Sequence, residues 1–317
     1  MEKKITASIY FDRYNTFIII IEYNAQYSKL VYINILDAIK LKDIKEKEIK
    51  ENIIYIIDMI LEYNKNISNI TLILSNDYYD MMLFPGNIEQ IDDNTRRLIM
   101  FEFNKYFLDN KKIDDFYINL VDCISIKRIS KKMLYATLLP KQLVTELKNI
   151  FIQKGIKDIK VNYEWVSVIN NFIYNYPENY NKNSCLVSVN DNFIEFILIS
   201  NFRLVGYESL NRTDNTIAQL IEQKLKECLN SFHISKIHNL YLYGYGLYKN
   251  DLLECQKLIQ KPDLEVRRFN PFRMLETNLD KRNIEYCSRV FQLFAASISN
   301  DFIYNKLKKY IKNVNLS

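Results

Sequence analysis

The sequence predicts an α/β protein of two lobes, with a small α/β unit inserted into the first. Three observations lead there. A strand–turn–strand opening is followed by a helix and a further strand. After Pro177 three consecutive strand-like runs are again followed by alternating helix and strand. At 317 residues the chain is long enough to bury two separate cores.

From Ile5 to Ile21 the chain is rich in Ile, Tyr and Phe and alternates weakly, which predicts two strands around a turn at Asp12-Arg13-Tyr14-Asn15. Leu30 to Leu36 adds a third strand. Between Ile49 and Tyr63 the apolar residues Ile53, Ile56, Ile57, Ile60 and Leu61 fall at helical spacing. Asn69 to Leu74 predicts a buried strand, and Phe84-Pro85-Gly86 a turn after it.

A separate small unit is expected next. Asp93-Asn94 can cap a helix to about Leu108, and 115–129 holds two strand-like runs. Met133 to Leu138 is a third strand. Pro140 starts a helix with Leu143, Leu147, Ile150 and Phe151 on one face, and Gly155 suits its carboxyl-terminal cap. Ile159 to Val161 then predicts a strand, and Glu164 to Ile173 a helix. Trp165, the sole tryptophan, is read as a core residue in preference to a cleft-lining one.

Pro177 and Asn179-Tyr180-Asn181 mark a boundary. Beyond it, Cys185 to Val189, Phe193 to Ile199 and Phe202 to Glu208 form a predicted meander. Thr213-Asp214 opens a helix through Leu229. Asn239 to Tyr243 is a strand ending in Gly244-Tyr245-Gly246, Asn250 to Ile259 a helix and Leu264 to Phe269 a strand. A helix over 284–299 closes the body.

Composition narrows the function classes. Hydrophobic residues at 48% and charged residues at 26% describe a globular chain, and no internal repeat of about 20–50 residues is visible. The longest apolar runs, such as Phe17 to Ile21, fall far short of the roughly 20 residues a membrane span needs. The amino end has no signal-peptide core, so a cytoplasmic protein is expected, with the inner face of the cytoplasmic membrane as its furthest station. Five scattered cysteines (Cys123, Cys185, Cys228, Cys255 and Cys287) have no paired spacing for zinc or a redox dithiol, and read as reduced, mostly buried thiols. The net charge of +5 is mild and interleaved, as in Lys45-Glu46-Lys47-Glu48, which argues against a nucleic-acid partner. The two histidines, His233 and His238, flank one helix-to-strand connection and read as surface loop residues. No Gly-x-Ser-x-Gly, His-Glu-x-x-His or Walker-type motif is present.

The order of units resembles the actin-like (ribonuclease H-like) fold, and in particular the PilM family of type IV pilus assembly proteins. Five places carry the resemblance. Leu83-Phe84-Pro85 stands where the family turns into its inserted subdomain, and Met133 through Trp165 is similar to the end of that subdomain. Leu240 to Gly246 resembles the family's strand with a Gly-rich adenosine-side turn. Asn270-Pro271-Phe272-Arg273-Met274-Leu275 is similar to the Asn-Pro-Phe signature of the pilus branch, and Phe291 to Ile298 to its small-residue terminal helix. The resemblance implies a first lobe over 1–89 completed by 163–183 and 284–301, an inserted subdomain over 90–162, a second lobe over 184–283, and a basic amphipathic tail over 302–317.

Actin-like ATPases hold ATP between two hairpins whose Asp-x-Gly turns let backbone N–H groups approach the phosphates. The first hairpin here, Tyr10 to Thr16, has no glycine. In the second, Leu186 to Asn192, Ser188 stands for the expected Asp and Asn190 for the Gly, and Leu210-Asn211-Arg212 falls where the family has a glycine. The residues the resemblance leaves for a nucleotide are Asp12, Asn15, Asn190, Asp191, Gly244 and Gly246. With so degenerate a cradle, no cofactor is expected, no catalytic residue is assigned, and the chain reads as a pseudo-ATPase. An ATP-gated switch holding ATP and magnesium near Asp12 and Asp191 is the alternative.

The resemblance further implies a scaffold that captures the cytoplasmic segment of a bitopic inner-membrane protein and links it to a secretion or pilus motor ATPase. The expected groove lies between the first lobe and the inserted unit, built by residues from about Met81 to Asp93 and onward to Tyr163. In the tail, Phe302, Ile303, Leu307, Tyr310, Ile311 and Val314 fit one helical face beside Lys306, Lys308, Lys309 and Lys312. Such a helix suits peripheral membrane contact, as in the cell-division relative FtsA, and a membrane-tethered filament subunit is a further alternative.

Overall fold

The opening hairpin sets the first lobe. Strands β1 (Lys4–Phe11) and β2 (Asn15–Tyr23) pair antiparallel across the turn at 12–14, where the Asp12 N–H donates to the Asn15 carbonyl at 3.1 Å. Ile18 to Ile21 are buried, so this stretch reads as a continuous apolar run: both faces of the sheet are covered. The computed structural model describes residues 3–24, 27–86, 92–107, 112–123, 133–213, 216–232, 234–259 and 264–279. The expected helix over 284–299, the tail with Lys306, Lys308, Lys309 and Lys312, Cys287 and His233 lie outside the described residues.

Strand β3 (Ser28–Asp37) extends the hairpin. Helix α1 (Lys47–Tyr63) then buries Ile53, Ile56, Ile57 and Ile60, the face predicted from spacing, and crosses to β4 (Asn69–Leu74), parallel to β1. Next come β5 (Asp80–Pro85), α2 (Asp93–Phe107), β6 (Phe116–Cys123) and β7 (Met133–Pro140), with β5, β7 and β6 forming a three-stranded antiparallel sheet. Helix α3 (Lys141–Gln153) and β8 (Asp158–Tyr163) return the chain to the first sheet, where β8 lies parallel to β4. Gly155 follows α3 with φ +84°, the left-handed conformation its position requires.

After α4 (Glu164–Asn175) the second lobe repeats this plan. Strands β9 (Asn183–Val189), β10 (Phe193–Ser200) and β11 (Arg203–Asn211) form the meander. Helix α5 (Ile217–Ser231) leads to β12 (Asn239–Tyr243), and α6 (Lys249–Leu258) to β13 (Glu265–Arg268), both strands parallel to β9. The sheet orders are β14-β3-β2-β1-β4-β8 and β11-β10-β9-β12-β13, where β14 is Glu276–Thr277. Each lobe is thus a three-stranded meander extended on one side by two parallel crossovers.

Several expectations need correction. Phe84-Pro85 does not form a turn but ends strand β5, which a proline tolerates because β5 is a sheet edge. The inserted sheet begins at Asp80 and ends at Pro140, so the expected span of 90–162 is shifted: α3 packs beside α1, with Lys154 Nζ 2.7 Å from Asp58, and β8 belongs to the first sheet. The second lobe does not extend unbroken to 283, because β14 pairs with β3. Helix α5 starts at Ile217 and not at Thr213, since Thr216 and Gln219 form a reciprocal capping box.

One core runs across the joint between the lobes, while the second lobe and the inserted sheet each have a further core of their own. Phe172 of α4 and Tyr176, which follows it, pack against the second lobe, with ring centroids 4.6 Å apart for Tyr176–Tyr241 and 5.8 Å for Phe172–Phe202. Trp165 is buried in this core, as expected. The Asn-Pro-Phe segment closes the same joint. Asn175 Nδ2 donates to the Pro271 carbonyl at 2.9 Å, the Met274 N–H donates to Asn175 Oδ1 at 3.0 Å, and Arg273 lies over the Tyr176 ring. The signature is explained by this cap on the end of α4.

Candidate functional site

Two concave regions flank one short turn, Asn76–Tyr78, that follows β4. The first is the cleft between the lobes at the carboxyl ends of β1 and β9, the expected place for a ligand in open α/β sheets. It gathers Asp12, Asn190 and Gly244 from the expected nucleotide set. Asn15, Asp191 and Gly246 are not among the residues lining it. Asp191 sits exposed at the tip of the β9–β10 turn, and the Asn15 carbonyl is spent on the Asp12 N–H.

The cleft is filled by its own side chains. The Arg13 guanidinium pairs with Asp77 of the same lobe at the cleft, with Nε 3.2 Å from Oδ2. Tyr245 packs edge-on against Tyr14 at 5.5 Å and tilted against Phe17 at 6.4 Å. The space left is about 20 Å³, room for about one water. The glycines are explained by backbone packing. Gly244 has φ +109°, and a Cβ there would lie 2.3 Å from the Val189 carbonyl oxygen; a Cβ on Gly246 would lie 2.8 Å from that of Asn190. The Gly246 N–H donates to Val189 at 2.9 Å. The Gly-Tyr-Gly turn therefore rests on the β9–β10 turn, where a phosphate would otherwise need approach.

Buried carboxyls line this interface. Asp12 is 8% exposed and its Oδ2 has no hydrogen-bond partner among the described residues. Burial raises its pKa, partly opposed by the Arg13 N–H. Burial, with the charges of Glu195 and Asp12 adding to it, pushes Glu164 well above the usual carboxylate range. Glu195, from the second lobe, is likewise raised by burial, against the donors Tyr207 Oη and Asn76 Nδ2 (2.9 Å). Asn76 thus joins the lobes.

The second region is an open groove of about 690 Å³ between the first lobe and the inserted sheet. Its lining is mixed: Leu41, Ile44, Tyr78 and Tyr79 from the first lobe and Phe116, Pro140 and Leu143 opposite stand among charged residues such as Lys42, Asp43 and Glu46. Of the residues expected to build it, the described ones among 81–93 (81–86, 92 and 93) do not line it, and the rest lie outside the described residues. The segment 41–46 takes that place, and its signal in the sequence was the apolar pair Leu41 and Ile44 just ahead of α1. Arg13, Asp77, Glu164 and Glu195 were also missed. Asp77 and Glu164 each follow the carboxyl end of a parallel strand, which is the one cue that could have found them.

The lesser expectations can be placed too. His238 is a structural lock between strands, its Nδ1 accepting the Asn183 N–H at 3.1 Å. Cys123, Cys185, Cys228 and Cys255 are free and buried, as read from their scatter. Among the described residues no cluster of His, Cys, Asp and Glu could hold a metal ion, and no helix is long and apolar enough to cross a membrane.

Two duplicated lobes, an interlobe cleft at the strand ends and an inserted sheet define the actin-like ATPase fold. Comparison with solved structures gives the same answer. The "PilM-PilN type IV pilus biogenesis complex" superposes with a TM-score of 0.66 at 9% identity, covering 92% of this chain and 97% of that one. A Bacteroides thetaiotaomicron protein of unknown function with an actin-like ATPase fold gives 0.49 at 13% identity, over 89% and 96% of the two chains. The cytoplasmic domain of EpsL, an inner-membrane component of the Vibrio cholerae type II secretion system, gives 0.44 at 8% identity, over 90% and 94%. The fold assignment rests on the first of these. No protein-family model matches the sequence, and no curated protein matches it.

Proposed function

We propose that this chain is a scaffold of the actin-like fold that docks an extended peptide from a membrane-anchored partner, in an assembly of the pilus or secretion type. The observation that carries the reading is the contrast between the two concave regions: a groove of about 690 Å³ lined by apolar and charged side chains, beside a cleft reduced to about 20 Å³. A groove of that size suits an extended segment whose apolar side chains enter the floor. The likeness to a structure named for a PilM-PilN complex supports the same reading.

The cleft has the opposite character. Mg-ATP needs glycine-lined turns and open space for three phosphates. Here Arg13, Asp77 and Tyr245 occupy that space, and both glycines of the 244–246 turn are required by protein backbone. The reading is therefore of a pseudo-ATPase that does not turn over nucleotide.

Photo-crosslinking in the native cell tests the docking site. A benzophenone amino acid is placed at Gln142, exposed on the groove, and at Tyr14, in the cleft. The expected result is an adduct with a single-span membrane protein from Gln142 and none from Tyr14. Absence of any adduct from Gln142 would sink the docking reading.

A further inference from the structure

Both sides of the groove are fastened to one residue of the second lobe, Tyr207. On the first-lobe side the turn Asn76–Tyr78 lines the groove, and the Tyr78 hydroxyl donates to the Ile39 carbonyl at 3.2 Å, just ahead of Leu41. From this turn Asn76 Nδ2 donates to Glu195 Oε1 of β10 at 2.9 Å, and the same oxygen accepts from the Tyr207 hydroxyl of β11. The opposite side is the inserted sheet, which lines the groove with Phe116 of β6 and Pro140 of β7. The far end of that sheet meets Tyr207 again: its N–H donates to the Tyr135 hydroxyl at 2.5 Å, and that hydroxyl donates to its carbonyl at 3.0 Å. Cys123, at the far end of β6, donates to the Val205 carbonyl of β11.

These bonds close a ring. It runs from the groove through Asn76, Glu195, Tyr207 and Tyr135, then along β7 back to the groove at Pro140. Tyr135 and Pro140 lie on one strand, about 17 Å apart at the ordinary rise per residue. Strand β7 is paired on both sides, by β5 and β6, so a shift at Tyr135 is carried to Pro140. The sheet joins the first lobe at Asp80 and Pro140, both beside the groove, and these joints are its pivot. None of Glu195, Tyr207 and Tyr135 lines the groove itself. Glu195 and Tyr135 are buried, which shelters both fastenings from competing water.

Resting on the docking reading above, we infer that the second lobe is a clamp on the groove: Glu195 holds its first-lobe side, Tyr207 holds the inserted sheet, and a peptide binds tightly only while both fastenings are made. Walls already held in place spare the occupant the cost of ordering them. The coupling runs both ways, so an occupant that braces Asn76 against Pro140 also steadies the joint between the lobes.

The photo-crosslinked adduct from Gln142 tests the clamp in the native cell, measured per soluble chain, with each purified variant shown to be folded by circular dichroism. Glu195→Ala cuts the Asn76 fastening and Tyr135→Phe the sheet fastening, and neither residue lines the groove. Each is expected to lower the adduct about fivefold or more, the lower end of ordinary coupling between sites. Glu195→Gln, which keeps an oxygen acceptor for Asn76 and Tyr207, should retain it. Glu195→Ala combined with Tyr135→Phe should fall no further than the weaker single variant, because a ring cut once is already open. Parent-level adduct in both single variants would overturn the clamp and leave the docking reading standing. Losses that multiply in the double variant, the mark of two independent destabilisations, would do the same. No adduct from the parent chain would overturn both readings.

Discussion

The Tyr135 hydroxyl meets the backbone of Tyr207 twice: it donates to the Tyr207 carbonyl at 3.0 Å and accepts the Tyr207 N–H at 2.5 Å. One phenol thereby does at β11 what a neighbouring strand would do, and it fastens the inserted sheet to the second lobe. Cys123, whose Sγ donates to the Val205 carbonyl, adds to the seam.

Tyr135→Phe should therefore loosen that seam. It removes both bonds and leaves a half-buried N–H and C=O without the phenol, at a cost of about 1–3 kcal/mol. Urea denaturation measures the loss, and limited proteolysis should show earlier cleavage in the inserted unit. An unchanged midpoint would show that water replaces the phenol.

The carboxyls at the lobe joint give a pH dependence opposite in sign to ordinary acid denaturation. Burial raises Glu164, Glu195 and Asp12 above their unfolded values, so the folded chain holds these protons more tightly than the unfolded one. Their contribution is complete below the unfolded pKa of about 4 and is lost as pH rises through the raised native values. Glu195→Gln, which can keep the Oε1 acceptor used by Asn76 and Tyr207, should flatten the dependence and raise the Tm near neutral pH. Thermal melts across the pH range check this, and a steeper dependence in the variant would contradict it.

Gly244→Ala should destabilise the chain by about 1–3 kcal/mol or more with no ligand present, because φ +109° is strained for alanine and its Cβ meets the Val189 carbonyl. A variant that melts with the parent would return the glycine to a ligand-binding role.

Asn175→Ala should release the segment 270–275. That side chain bonds both the Pro271 carbonyl and the Met274 N–H, each left buried or half-buried without it. Hydrogen exchange should speed up at Met274 and leave β9 protected.

Much of this architecture was legible in the sequence, because its signals are local. The opening hairpin around Asp12, the helical spacing of Ile53 to Ile60 and the meander after Pro177 rest on neighbouring residues. Strand β14 was not legible: two residues, Glu276 and Thr277, carry no periodicity. The two concave regions were harder still. Arg13 and Asp77 stand 64 residues apart, and Asn76 and Glu195 stand 119 apart. Their partnership exists only once β1, β4 and β10 have been brought to one cleft. The hairpins without glycine around Asp12 and Asn190 carry the expectation of a degenerate phosphate cradle. What fills the space, the ring of Tyr245 and the Arg13–Asp77 pair, depends on side-chain directions that spacing does not give.

Calorimetric titration of Mg-ATP into nucleotide-free protein tests most directly whether the cleft is closed to nucleotide, as the proposed scaffold role requires. The account predicts no heat beyond dilution, since about 20 Å³ cannot admit three phosphates. Micromolar binding that depends on magnesium would contradict it and would mean that Tyr245 and Arg13 move aside to open a working nucleotide site.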